Sequence, residues 1–224
     1  MLGFVPPTFG LLRREVAAVP PESFGLQRVT NACTQIRNFA SGLTAPLGET
    51  RPKRLVGIAA PQVGINMAIV YVNVTVGGEW TDDLRLLINP RILRTWGEDE
   101  PVDWWHGCYS TGVLVSFRSL PRYVEIEYYD EMGVRHTWII DGRVDGPRQL
   151  HVVRHEIEHL LGIRHVDAAI QTGAPICVVE DGERPAFDAL FHAGGRMWPR
   201  TVPPTAWYEM LAGRPWRHLI EETA

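Results

Sequence analysis

The chain has 224 residues, 45% hydrophobic and 21% charged, with a formal net charge of −4. That is the make-up of a soluble globular protein with core enough for one large domain or two small ones. The absence of a basic cluster or charged tail removes the electrostatic footprint of a nucleic-acid or anionic-membrane partner. No stretch approaches the ~20 apolar residues of a membrane span, the opening MLGFVPPTFGLLRREV lacks the basic-then-apolar order of a secretory signal, and three scattered cysteines (Cys33, Cys108, Cys177) fit free thiols in a reducing cytoplasm.

Residues 22–42 read as a helix, since Leu26, Val29, Cys33, Ile36 and Ala40 recur at spacings of three and four and Gly42 offers a stop. A polar loop, GETRPKR, follows at 48–54. Five stretches rich in β-branched and aromatic residues then predict strands: 67–76, 84–89, 113–117, 123–130 and 134–140, with a hairpin turn at Asp130–Gly133. One strong helix is predicted over 147–161, opened by Gly146-Pro147 and closed at Gly162. The remaining residues, 171–224, are rich in Pro, Gly and Trp and show no period. Short strands in a run before a lone strong helix argue for an α+β fold, one domain with mixed or antiparallel sheets packed around that helix, over an alternating βαβ pattern.

At about 100° per residue, Leu150, Val153, Ile157, Leu160 and Leu161 share one stripe of the 147–161 helix, and His155 and His159 fall roughly 40° apart on the other side. Apolar residues on one side and paired imidazoles on the other describe a central helix that faces a cleft. The segment HEIEHLLGIRH, 155–165, matches the metzincin pattern HExxHxxGxxH and also contains the shorter HExxH of other metal hydrolases. Two third ligands are therefore available. His165 would serve if Gly162 turned the chain back over the pair. Cys108, in WWHGCYS, would complete a thiolate and two imidazoles, leaving a tetrahedral divalent metal one open position for water. A buried free cysteine is the ordinary alternative for Cys108. Upstream, LVGIAAPQVGIN (55–66) is neither helix nor strand in pattern; its small residues and proline let backbone approach something closely, and Gln62 offers an amide.

Three of these segments together resemble peptide deformylase, whose G-x-G-L-A-A-P-Q, E-G-C-L-S and H-E-x-D-H motifs come in this order. They stand here as Leu55–Gln62, His106–Ser110 and His155–His159, and the resemblance covers roughly residues 20–170. It implies a catalytic domain over 1–170, with 171–224 an extension whose Trp198, Trp207 and Trp216 pack on the domain or on a second subunit. It also implies removal of the formyl group from N-formylmethionyl peptides in the cytoplasm. The metal would be held by Cys108, His155 and His159, with Fe²⁺ as the ion and Zn²⁺ or Ni²⁺ as substitutes. Glu156 would move the proton, Gln62 and the backbone N–H of Tyr109 would hold the oxyanion, and Gly57 and His106 would lie against the substrate. On the same reading His165 stands where the family has an apolar residue.

Several positions depart from the family pattern. Glu158 replaces an aspartate, Leu55 the first glycine, and Tyr109 a leucine. His106 stands in place of a glutamate, which leaves a basic partner, Arg118 or Arg122, without its anion. His151 stands in a normally apolar methionine pocket. These departures keep two alternatives in view: hydrolysis of a formylated small molecule, and a metal-stabilised homologue without turnover.

Overall fold

The computed structural model describes residues 4–44, 56–76, 79–108, 110–192 and 198–222. In chain order the elements are α1 (Gln27–Thr44), β1 (Gly57–Ala59), a 3₁₀ turn (Ala60–Val63), β2 (Ile69–Val76), β3 (Glu79–Trp96), β4 (Val102–Gly107), β5 (Leu114–Leu120), β6 (Tyr123–Tyr129), β7 (Arg135–Asp141), α2 (Pro147–Leu160), α3 (His165–Thr172), β8 (Ile176–Val178), α4 (Arg184–His192), β9 (Arg200–Thr201), α5 (Pro204–Leu211) and β10 (Glu221–Glu222). The strands form two five-stranded sheets, ordered β1-β2-β3-β6-β7 and β10-β9-β8-β5-β4. Every strand pair among the described residues is antiparallel. This is the α+β architecture that the run of short strands predicts.

Alternation along β2 divides the first sheet between two helices. Ile69 and Tyr71 face one way and join Val29, Cys33 and Ile36 of α1. Val70 and Val72 face the other way and join Leu150, Val153, Ile157 and Leu160 of α2. A period of 2 on the strand thus meets a period of 3.6 on each helix, and α2 is enclosed on the side away from α1. The second sheet runs past the start of α2: the Cβ of a residue at position 142 would touch both Leu150 of α2 and Val102 of β4.

Helix α1 starts later than its periodicity suggests. Pro20 and Pro21 set a 3₁₀ turn over Pro21–Ser23, Gly25 takes φ +75°, and Leu26, outside the helix, is half exposed. Strand β3 is much longer than the predicted 84–89. Asn89, at φ +50°, and Pro90 look like a strand end, yet the pairing with β6 absorbs them in a register shift between Ile88 and Arg91 and continues. The hairpin at Asp130 is held as expected, with Asp130 Oδ1 accepting the N–H groups of Met132 and Val134 and Gly133 at φ +78°.

Helix α2 ends at Leu160; Leu161, expected on the apolar stripe, lies beyond it and is half exposed. Gly162 then turns the chain at φ +74°, where a Cβ would lie 2.5 Å from the backbone nitrogen of Arg14. No side chain fits that space, so the turn out of the central helix requires glycine. Residues past 171 continue the second sheet, with β8 paired to β5. Trp207 of α5 is fully buried, donates Nε1–H to Asp167 Oδ1 at 2.9 Å and lies under the Arg164 guanidinium. Trp198 is buried against Phe187 of α4, and its Nε1–H reaches Val178 O.

Candidate metal centre

Three elements deliver the site. Helix α2 carries His155, Glu156 and His159 on consecutive turns. Strand β4 runs out at Gly107 and presents Cys108 in the turn that follows, where the N–H groups of Thr111 and Gly112 donate to Cys108 O. The 3₁₀ turn after β1 carries Gln62, and all five of these side chains are buried.

The side chains converge on one point. Cys108 Sγ lies 3.3 Å from His159 Nε2, which lies 3.1 Å from His155 Nε2. The three donor atoms are all within 4.8 Å of one another, and this is the group among the described residues able to hold a metal ion. Gln62 is tied at one end, its Oε1 accepting Ala59 N–H at 2.7 Å, so its Nε2 is turned to Cys108 Sγ at 3.3 Å.

The electrostatics suit a divalent cation. Burial, with the neighbouring His159, holds His155 well below its ordinary pKa, and burial pushes His159 down to about 3. Both imidazoles are thus neutral, the form that ligates. Burial pushes the Cys108 thiol up to about 12, while N–H groups of Ser110 and Thr111 and the Gln62 amide favour its thiolate. A thiol and two neutral imidazoles facing one another in a dry site lack only the positive charge that would make the thiolate stable there. The Nδ1 atoms of both histidines, on the far side from that point, are buried without a hydrogen-bond partner. The residues fit a metal.

Glu156 lies on the same helix, directed at β1. Burial raises its pKa to about 8, and its Oε2 is buried without a partner. Gly57 meets this side chain closely: a Cβ there would lie 2.9 Å from both Cγ and Oε1 of Glu156. His106 faces α2 from β4, with Nε2 2.5 Å from His151 Nδ1, and His151 Nε2 lies 2.8 Å from Val102 O. A carbonyl only accepts, so His151 donates through Nε2, accepts through Nδ1, and His106 is the donor in the pair. Tyr109 and Leu55 lie outside the described residues.

Of the two arginines near the missing glutamate, Arg118 is the one inside. Its guanidinium makes a bidentate pair with Glu158 at 2.6 and 2.9 Å, both side chains under a tenth exposed, and Arg154 adds a third bond to Glu158 at 3.2 Å. Arg122 is committed to Asp141 and Glu100 at the surface. His165 is fully buried at the start of α3, its ring 5.6 Å from that of His155 and its Nε2 3.3 Å from Leu114 O. It stands outside the converging group. Neither the Arg118–Glu158 pair nor the His106–His151 pair announces itself in the sequence, since each joins residues about forty apart. Only the placement of His151 one turn before His155, and of His106 two residues before Cys108, hinted that both face the site.

The family model for polypeptide deformylase matches residues 24–174. The peptide deformylase of Treponema pallidum is 32% identical over 139 residues, 62% of this chain and 76% of that protein. That of Synechocystis is 31% identical over 132 residues, 59% and 65% of the two chains. Among solved structures, a class I type b peptide deformylase from Acinetobacter baumannii with Met-Ala-Ser bound shares the fold with a TM-score of 0.60 at 20% identity, over 75% of this chain and 98% of that one. A probable peptide deformylase from Synechococcus phage S-SSM7 gives a TM-score of 0.57 at 26% identity, over 75% and 99%. With the family model spanning both helix α2 and the Cys108 turn, the chain belongs to the polypeptide deformylase family, hydrolases that remove the N-formyl group from nascent peptides.

Proposed function

We propose that the chain hydrolyses N-formylmethionyl peptides in the cytoplasm with a divalent metal held by Cys108, His155 and His159, Fe²⁺ being the native ion and Zn²⁺ or Ni²⁺ able to replace it. Bound there, such an ion supplies a water of lowered pKa and polarises the formyl carbonyl. Every remaining step falls to groups of the chain. Glu156 takes the proton of the attacking water and returns it to the leaving amine; a cation held beside it would favour the carboxylate needed for the first transfer, and burial favours the protonated form needed for the second. Gln62 is anchored through Oε1 at Ala59, so its amide N–H groups are aimed at the site without reorganisation, one toward Cys108 and the other available to the oxyanion. The backbone N–H of Tyr109 is the second donor.

Among the described residues β1 pairs only with β2 and forms the edge of its sheet, which suits a peptide adding as a further strand along Gly57–Ala59. His106, two residues before Cys108, lies against the first side chain of the substrate, with His151 paired behind it.

The observation that carries this reading is the tethered Gln62 amide, which a metal site of purely structural purpose has no use for. The test is formate release from formyl-Met-Ala-Ser by protein purified without oxygen and loaded with Fe²⁺. Glu156→Gln is expected to keep the metal and lose 10²- to 10⁴-fold in turnover, and Cys108→Ala to lose both. Metal-loaded protein that releases no formate from any formyl peptide would transfer the reading to a formylated small molecule.

A further inference from the structure

The histidine that completes the metzincin pattern has no task in the mechanism above, yet it is fully buried beside the ligand pair. Three imidazole Nδ1 atoms, those of His155, His159 and His165, are buried in this part of the fold with no hydrogen-bond partner. Their protonation follows from the opposite nitrogens. His155 and His159 point Nε2 at each other and at Cys108, so on the ligand set proposed above those atoms are bare when a metal is held and the proton sits on Nδ1. His165 points Nε2 at the Leu114 carbonyl, which only accepts, so Nε2 carries the proton and Nδ1 is a bare acceptor. A buried donor on the ligand and a buried acceptor on its neighbour, on rings with centroids 5.6 Å apart, complement each other.

We propose that His165 is a positioning residue for the metal centre: its Nδ1 accepts the Nδ1–H of His155 across one buried water, and so fixes the tautomer and ring orientation of that ligand. Ligating histidines almost always donate their second N–H to such a partner, and removing the partner typically costs 10- to 100-fold in metal affinity. The fold supplies a rigid mount. His165 opens α3, Arg164 before it is clamped to Asp167 and to Pro7 O, and the Leu114 carbonyl lies at the start of β5. The third histidine of HEIEHLLGIRH then stands behind the first, supporting it, and the thiolate of Cys108 occupies the ligand position that a metzincin would assign to it.

This inference rests on the Cys108–His155–His159 reading, and the experiment separates the two. Full-length apoprotein is titrated with Co²⁺ against a competing chelator while the ligand-field and thiolate charge-transfer bands are recorded, alongside the melting temperature of each apoprotein. His165→Leu, similar in volume and without an acceptor, is expected to weaken Co²⁺ binding 10- to 100-fold and to shift the ligand-field bands while the charge-transfer band persists. His165→Asn, with Oδ1 near the position of Nδ1, is expected to retain most of the affinity. If the leucine variant does not fold, His165→Phe carries the same expectation. Wild-type affinity and spectrum in the leucine or phenylalanine variant, or an asparagine variant as weak as either, would overturn the role of His165. A Cys108→Ala variant that binds Co²⁺ like the wild type would overturn the ligand set, and with it the inference. That result together with loss of all binding in every His165 variant would make His165 the third ligand.

Discussion

The contact between Gly57 and Glu156 ties the geometry of the proposed base to the packing of β1 on α2, and one methyl group tests it. A Cβ at residue 57 would lie 2.8 Å from Val152 Cγ1 and 2.9 Å from both Cγ and Oε1 of Glu156. Carbon atoms prefer about 3.5–4.0 Å, so the neighbours must retreat by roughly 0.5–1 Å. Val152 is β-branched and mid-helix, with one strongly preferred rotamer, and gives way only with the backbone of α2. Glu156 can swing, and the adjustment falls on it. Overpacking of this kind costs about 1–3 kcal/mol, and because the backbone of Gly57 is not left-handed, alanine recovers about 0.4–1 kcal/mol from the unfolded state. Gly57→Ala is thus expected to lose about 1–2 kcal/mol in urea unfolding. Its kcat/KM for formyl-Met-Ala-Ser should fall on the order of 10²-fold, the scale for a catalytic group displaced by about 1 Å, with metal content unchanged. Gly10→Ala, where a Cβ meets nothing within 4 Å, is the control. Wild-type stability and activity in Gly57→Ala would refute the close approach of β1 to α2 and the assignment of Glu156 as the base.

Glu158→Gln strands the buried Arg118 without its countercharge and is expected to lose about 3–5 kcal/mol in urea unfolding, whereas Glu158→Asp keeps the charge and loses less; equal effects of the two would place the energy in packing. Asp141 is held below its ordinary pKa chiefly by its hydrogen bonds to Arg122, so its contribution to stability is present above the unfolded value near 3.8 and is lost as pH falls through the folded value. Asp141→Asn removes that dependence, and its stability-against-pH curve should run flatter than the wild type below about pH 4; parallel curves would show that the pair contributes nothing.

The legible parts of the fold were those whose signals are local. Helix α2 has a strong period, a proline at its first turn and a glycine past its end, and it stands within a residue of its expected bounds. Strands β2, β3, β5, β6 and β7 announced themselves through β-branched and aromatic runs, whereas β1, in a segment that reads as neither helix nor strand, and β4, β8, β9 and β10 did not; nor did the length of β3, because Asn89-Pro90 reads as a break that only pairing with β6 reveals as a bulge. Helices α3, α4 and α5 have eight or nine residues each. Two turns are too few for a period to stand out among prolines and glycines, and burial of Trp207 against Val166 and Ala169 of α3, not propensity, holds α5 in place.

The histidine pair was legible for the same reason, since two histidines four apart on a helix are a one-turn problem; Cys108 stood open against His165 until the three motifs were read together as a family resemblance. What surrounds them is a problem in three dimensions. Taken singly, His106 in place of a glutamate leaves a buried cation orphaned beside the metal, and such a site would be hard to keep folded. The structure resolves the charge differently. Glu158 carries one methylene more than aspartate and meets Arg118 through both carboxylate oxygens, so the anion that neutralises Arg118 comes from α2. His106 is then free of any ionic duty. Burial and the adjoining His151 hold it neutral, and it donates to His151, which donates its own Nε2–H to the Val102 carbonyl, so the β4 side of the site is satisfied without a charge. The changes at 106, 151 and 158 are therefore coupled: reverting His106 alone to glutamate would bury a second anion beside an arginine that already has one, and would leave His151 facing a carboxylate in place of a donor N–H.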